Sequence, residues 1–163
     1  MTLLSPAALE QLNTPHHIYY SQMRLIFFTA LLGGFAALFL LAGLKVFLTE
    51  GMSSRAAMGF TGMGTLFLLF MVFRTLPSWR GLGEPAVTIS KEGLRFRGET
   101  LIPWSNIDEN DWQATGVLGV TSAADVHLRV SGRRRKFQAL FFKCDGDEYL
   151  HYCNLYEAAS QQA

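Results

Sequence analysis

Two long apolar stretches without a charged residue lie in the first half of the chain, at residues 25–44 and 56–73. A helix rises about 1.5 Å per residue, so about 20 apolar residues cross a hydrocarbon core of roughly 30 Å. A core helix of a soluble protein would carry a polar face, and residues 25–44 have none. The pattern therefore predicts two transmembrane helices joined by a short connector.

From residue 85 onward the hydrophobic pattern changes from continuous to alternating. Residues 86–90 and 94–97 alternate around Lys91, Glu92 and Gly93, which predicts a β-hairpin with the glycine at a positive φ. A turn at Gly98 and Glu99 leads into residues 100–104. Further strands are predicted at residues 112–120, 125–130 and 136–142.

The tail over residues 145–159 has helical periodicity. Asp145 followed by Glu148 is typical of a capping box at a helix start. One apolar face follows at helical spacing, made by Tyr149, Tyr152, Cys153 and Tyr156. The second half of the chain is therefore predicted to be an antiparallel meander of at least five strands, closed by one C-terminal amphipathic helix.

These patterns divide the chain into four segments. Residues 1–22 form an N-terminal cytoplasmic or interfacial segment, with a short helix at 6–12 and Tyr19 and Tyr20 as interfacial anchors. Residues 23–76 form the transmembrane hairpin. Residues 77–84 form a linker, in which Pro77 is expected to end the second helix, and residues 85–163 form the folded domain.

Basic residues near the membrane predict the topology. Arg74 and Arg80 follow the second span, whereas Lys45 and Arg55 in the connector are offset by Glu50. Because basic flanks stay on the cytoplasmic side, this bias favours cytoplasmic termini and an external turn at residues 49–54. From residue 81 onward nine Lys and Arg stand against eleven Asp and Glu, which is not the charge balance of a nucleic-acid-binding domain.

The sequence presents no motif for catalysis, for a cofactor or for a metal. It has no phosphate-binding or dinucleotide-binding glycine pattern and no apparent nucleophile with a base. Cys144 and Cys153 lack metal-ligand spacing and are read as free thiols. We therefore predict no catalytic, cofactor-binding or metal-binding residue.

The one concentrated charge is a basic cluster, made by Arg133, Arg134, Arg135 and Lys136. The predicted strands place it at the hairpin turn that Ser131 and Gly132 supply. It either faces an anionic leaflet, at about 1 kcal/mol per residue, or is a solvated tip. Trp112 is either a core residue or a contact for a partner. Small residues spaced by four in the spans, such as Ala30 and Gly34, fit packing within the hairpin and allow a homo-oligomer.

Residues 87–109, VTISKEGLRFRGETLIPWSNIDE, resemble the opening of bacterial pleckstrin-homology-like (PH-like) domains, particularly YcxB-like and related small membrane proteins. The similarity lies in a strand, a turn ending in glycine, a second strand and the Ile-Pro-Trp element at residues 102–104, followed by Ile107. It covers roughly residues 85–157 and implies a PH-like β-roll capped by the terminal helix. About seven strands are expected in that fold, against five clear ones here. Lipid-headgroup binding is not implied, because the first hairpin loop pairs Lys91 with Glu92.

The expected function is a non-enzymatic interaction module, anchored in the bacterial inner membrane. It would bind a protein partner or support a membrane complex, through exposed sheet edges or the groove beside the terminal helix. The alternative is an immunity protein against an antibacterial toxin. The expected partners are the lipid bilayer and a protein, without nucleic acid.

Overall fold

The computed structural model describes residues 12–50, 55–117 and 120–162. The helix expected at residues 6–12 lies outside them except for Leu12, and the turn expected at residues 49–54 lies mostly outside. The chain forms two compact units. A sheet unit combines the described parts of Met1–Tyr20 and Gly83–Ala163, and a helical unit spans Ser21–Leu82.

The helical unit consists of α1 (Gln22–Glu50) and α2 (Arg55–Trp79), which pack against each other. Both helices are long and apolar enough to cross a bilayer, and each predicted span lies within one of them. Phe67 stacks on Phe35 and Phe39, with ring centroids 5.8 and 5.7 Å apart. Among the described residues, the exposed large apolar side chains belong to this unit, apart from Tyr19 and Leu101.

Pro77 does not end α2, contrary to the prediction. The helix continues to Trp79, and the amide of Arg80 donates to the carbonyl of Leu76 at 3.0 Å. Proline cannot donate to the carbonyl one turn earlier, but in a last turn this removes a single helical hydrogen bond. The indole Nε1 of Trp79 donates to Thr29 Oγ1 at 3.0 Å, which joins α2 to α1.

The sheet unit is an α+β structure with two antiparallel sheets. Its first sheet has the order β1-β2-β3-β4 and its second sheet has the order β5-β6-β7. The elements are β1 (His16–Tyr19), β2 (Pro85–Ser90), β3 (Gly93–Phe96), β4 (Ile102–Pro103), β5 (Ile107–Val117), β6 (Val120–Val130), β7 (Arg133–Gln138) and α3 (Gly146–Ser160). A single turn of 3-10 helix over Trp104–Asn106 connects the two sheets.

The predicted hairpin is confirmed, with Ser90 paired to Gly93 across the turn. Gly93 has φ +150°, and a Cβ atom there would lie 2.0 Å from the carbonyl oxygen of Ile102 on β4. Glycine is therefore required because a carbonyl group of the paired strand β4 occupies the space that a Cβ atom would need. Trp104 is buried, and its Nε1 donates to the carbonyl of Ser90 at 2.8 Å.

The N-terminal segment supplies a strand that the sequence patterns did not predict. His16, His17 and Ile18 of β1 pair in order with Ile89, Thr88 and Val87 of β2. Ile18 is 3% exposed and belongs to the core of the sheet unit. The chain thus enters this sheet before α1 and re-enters it after α2.

The later strands differ from their predicted bounds. β5 begins at Ile107 instead of residue 112, and β7 begins at Arg133 and ends at Gln138 instead of spanning 136–142. The apolar Leu140, Phe141 and Phe142 follow β7 as buried residues outside a strand. Their apolar run suits a buried segment of any geometry, so periodicity alone could not exclude a strand.

Helix α3 closes the core of the sheet unit. Asp145 caps its start by accepting from the amide of Glu148 at 2.8 Å, as the capping pattern predicted. Tyr149, Cys153 and Tyr156 are buried along the predicted apolar face, and Tyr152 is half-buried. Phe137 of β7 stacks on Phe96 of β3 at 3.9 Å, which joins the two sheets.

Candidate interaction surface

The basic cluster lies within strand β7, because this strand begins at Arg133 and not at the predicted residue 136; the cluster therefore follows the hairpin turn. The turn is formed by Ser131 and Gly132 alone, with φ values of 47° and 77°. Two successive residues at positive φ make the tight two-residue connection that suits the twist of a hairpin. The four basic side chains, those of Arg133, Arg134, Arg135 and Lys136, therefore alternate between the two faces of the sheet, and all are exposed.

Two of these four cations have acidic partners. Lys136 Nζ lies 3.0 Å from Asp125 Oδ2, and Asp125 is mostly buried on the neighbouring strand β6. Arg135 Nη1 lies 3.3 Å from Glu99 Oε2 on the opposite face. The structure gives Arg133 and Arg134 no ion pair within the part of the chain that it describes. The strand consequently keeps an uncompensated positive charge.

The outer face of the β5-β6-β7 sheet carries opposite charges on its two border strands. On β5, Glu109 and Asp111 lie opposite Arg129 and His127 of β6. On β7, Arg134 and Lys136 lie opposite the same two β6 residues. A polar pocket of about 180 Å³ opens across this face, lined by Glu109, Asp111, Gln113, His127, Arg129 and Arg134. The spacing of Glu109 and Asp111 by two residues was the sequence signal for this face, but the late predicted start of β5 hid it.

The backbone of β7 is free along its outer edge. In an antiparallel ladder, alternate residues direct their N–H and C=O groups to the neighbouring strand. The amide of Ala139 donates to the carbonyl of Ala124 at 2.7 Å, so odd-numbered positions face β6. Arg134 and Lys136 therefore direct their backbone groups outward, where the described residues provide no partner.

Trp112 lies half-buried beneath the start of α3. A Cβ atom on Gly146 would be 2.5 Å from its Cδ1, and its ring centroid is 5.6 Å from that of Tyr149. The indole therefore sets how closely α3 approaches β5.

Arg74 and Arg80 lie in the other unit, at the C-terminal end of α2. Arg74 is half-buried within the last turns and Arg80 is exposed just after the helix. Both residues lie at the end of a helix that is long and apolar enough to cross a membrane.

Several titratable side chains of the sheet unit make contacts that serve its packing. His16 stacks on Tyr152 with centroids 3.7 Å apart, and burial lowers the pKa of its imidazole. Desolvation raises the pKa of the Cys153 thiol to about 11, so this thiol stays protonated at neutral pH. Tyr149 Oη donates to Asn110 Oδ1 at 3.1 Å. Among the described residues, no group of three His, Cys, Asp or Glu is arranged to hold a metal ion.

No protein-family model, curated protein or solved structure matches this chain.

Proposed function

We propose that the protein is a membrane-anchored interaction module of the bacterial inner membrane. In this proposal α1 and α2 span the bilayer, and the sheet unit is a PH-like domain in the cytoplasm that binds a protein partner or supports a membrane complex. The observation that carries the proposal is the exposed edge of β7, which combines free backbone groups with uncompensated positive charge. Exposed strand edges of this kind bind extended segments of other proteins.

The exposed surface of the helical unit supports the membrane anchor. Leu38, Leu48 and Phe73 are 65%, 73% and 78% exposed, and a soluble protein would not leave such a continuous apolar surface in water. The hydroxyl groups of Thr61 and Thr65 are hydrogen-bonded within α2, because they donate to the carbonyls of Ala57 and Thr61 at 2.8 and 2.9 Å. Both features suit a hydrocarbon environment, where an unsatisfied polar group is costly.

The pairing of β1 with β2 supports termini on one side of the membrane. These strands flank the helical hairpin in sequence, and they can pair only when both ends of the hairpin emerge on the same side. Arg74 and Arg80 then favour the cytoplasmic side. Alkylation of single cysteines introduced at exposed positions of the sheet unit, in intact cells and in inverted vesicles, tests this placement. Labelling in intact cells would contradict it.

The PH-like assignment is supported by the described architecture. Two antiparallel sheets of four and three strands, followed by a C-terminal helix, agree with the roll that the sequence resemblance implies. The protein departs from a continuous domain because its first strand precedes the helical hairpin.

Affinity purification of the tagged full-length protein in mild detergent tests the binding function. The control is an unrelated two-span membrane protein with the same tag. A stoichiometric complex absent from the control is the expected result. Recovery of one toxin-like protein would favour the immunity role, and recovery of the protein alone would contradict the proposal.

A further inference from the structure

We propose that the outer edge of β7 binds an acidic segment of a partner protein in extended conformation, as a fourth strand of the β5-β6-β7 sheet. The inference rests on the proposed function and specifies the surface and the chemistry of its partner. The ligand is a peptide that provides carboxylate side chains for the cations and a backbone for the strand edge.

The backbone of β7 determines that the ligand is a strand. Arg134 and Lys136 direct their N–H and C=O groups away from β6, and both residues are exposed. A peptide strand alternates donors and acceptors at the same spacing and therefore matches both kinds of group.

The charge of β7 determines that the strand is acidic. Arg133 and Arg134 have no ion pair within the described residues, and Arg135 and Lys136 remain 46% and 61% exposed even with their partners. A basic edge also prevents neutral edges from pairing, which is a general protection against aggregation. The same charge selects a partner whose carboxylates offset it, so protection and specificity arise from one feature.

A membrane surface fits this edge less well than a peptide does. A lipid phosphate can accept hydrogen bonds from the N–H groups, but it leaves the outward carbonyls of β7 without donors. The outer face also carries Glu109 and Asp111, which would repel an anionic leaflet brought against it. The four cations are moreover divided between two faces of the sheet, whereas a bilayer presents one plane.

Two variants of Arg134 separate the charge from the backbone. Arg134→Thr removes the charge and keeps the outward N–H group, in a residue that favours strands. Arg134→Pro removes both, and proline is tolerated where a strand's N–H faces outward because the β6 ladder does not use it. Arg95→Thr is the matched control, since Arg95 is an exposed arginine in a strand of the other sheet.

The probe is a short fluorescent peptide that alternates Glu with Val, added to the full-length protein in neutral detergent and followed by fluorescence anisotropy. One control peptide has Gln in place of Glu. Another keeps Glu but is N-methylated at alternate amides, which removes its strand hydrogen bonds. We expect saturable binding of the acidic peptide, weaker binding of both controls and a decrease in affinity with added salt.

The variants are expected to weaken binding in two steps. Arg134→Thr should weaken it about two- to fivefold through the lost charge. Arg134→Pro should weaken it about fivefold more through the lost hydrogen bond. Arg95→Thr should bind as the unmodified protein does. If the Thr and Pro variants bind the acidic peptide with equal affinity, or if the N-methylated peptide binds fully, the attraction is due to charge alone. Either result would overturn the proposal that the ligand binds as a strand. Failure of the acidic peptide to bind would also overturn the inference. So would a result in which Arg134→Thr weakens binding of the protein to phosphatidylglycerol vesicles as much as it weakens binding of the peptide.

Affinity purification with the same variants separates this inference from the proposed function. A complex lost with Arg134→Pro and kept with Arg95→Thr supports both. A complex that survives Arg134→Pro keeps the proposed function and overturns the β7 edge as its site. Thermal unfolding of each variant, followed by tryptophan fluorescence, confirms that it is folded. If Arg134→Pro is not folded, the test is repeated at Lys136, the other residue with outward backbone groups, by comparing Lys136→Pro with Lys136→Thr.

Discussion

The backbone of Tyr19, just before the helical hairpin, pairs with that of Pro85, just after it. The two residues are far apart in sequence, and the whole hairpin lies between them. The sheet unit therefore cannot be completed by the C-terminal half of the chain alone. It requires a strand that is synthesised before either apolar helix.

The first prediction concerns the contribution of this N-terminal strand. Ile18→Ala should destabilise the sheet unit by about 2–4 kcal/mol, because Ile18 is 3% exposed in its core. Tyr19→Ala is the control, since its side chain is 41% exposed and its loss should cost less than about 1 kcal/mol. Urea unfolding of the full-length protein in detergent, followed by tryptophan fluorescence, measures both. Equal effects of the two substitutions would argue against β1 as part of the core.

The second prediction concerns the close approach of β4 to Gly93. Gly93→Ala should destabilise the protein by about 3 kcal/mol or more, since its Cβ would lie 2.0 Å from the Ile102 carbonyl oxygen. Gly98→Ala is the matched control, because Gly98 also has a positive φ, of 81°, but nothing within 4 Å of a Cβ atom. That variant should lose about 1–2 kcal/mol from backbone strain alone. The same unfolding measurement should therefore show a larger loss of stability for Gly93→Ala than for Gly98→Ala. The reverse order would contradict the close approach of the Ile102 carbonyl to Gly93.

The apolar helices and the first β-hairpin followed directly from local patterns. Residues 25–44 have no polar face, and the alternation around Gly93 has few other interpretations. Strand β1 was not predictable in this way. His16, His17 and Tyr19 look like a polar segment before a membrane, and they become a strand only because β2 offers an edge far along the chain. Tertiary context overrides local propensity in such cases.

The candidate site was predictable in composition and not in geometry. The charges of Arg133, Arg134 and Lys136 are plain in the sequence, but arginine and lysine runs are common in turns as well as at edges. The positive φ values of Ser131 and Gly132 confine the turn to two residues and place the whole cluster in β7. The alternation of free backbone groups follows from the register that this two-residue turn sets.

The third prediction concerns pH. Burial raises the pKa of the Cys153 thiol from its ordinary 9.0 to about 11. The folded state then holds this proton more tightly than the unfolded state does, so the stabilisation is complete below pH 9 and is lost as pH rises toward 11. The loss amounts to about 3 kcal/mol from this group, at about 1.4 kcal/mol for each pKa unit.

Cys153→Ala should make this alkaline loss smaller, and urea unfolding at a series of pH values measures it. The slope with pH is compared instead of the absolute stability, because the variant also leaves a cavity in the core. Tyr149 is a second buried acid whose pKa is raised by burial, so a part of the slope should remain in the variant. An unchanged slope would mean that Cys153 is accessible to water.

The last prediction separates packing within the helical hairpin from association between copies. A Cβ atom at Gly43 would lie 2.7 Å from Thr61 Oγ1, whereas one at Gly59 would meet nothing within 4 Å. Gly43→Val should therefore push the helices apart and lower the thermal stability of the helical unit. Gly59→Val should leave that stability unchanged. If the open face of α2 packs against a second copy, this variant should also reduce the mass of the oligomer in detergent. Circular dichroism measures the stability, and light scattering coupled to size exclusion measures the mass. If neither variant changes the mass, a homo-oligomer through Gly59 is contradicted. If both variants lose the same stability, the close approach of the helices at Gly43 is contradicted.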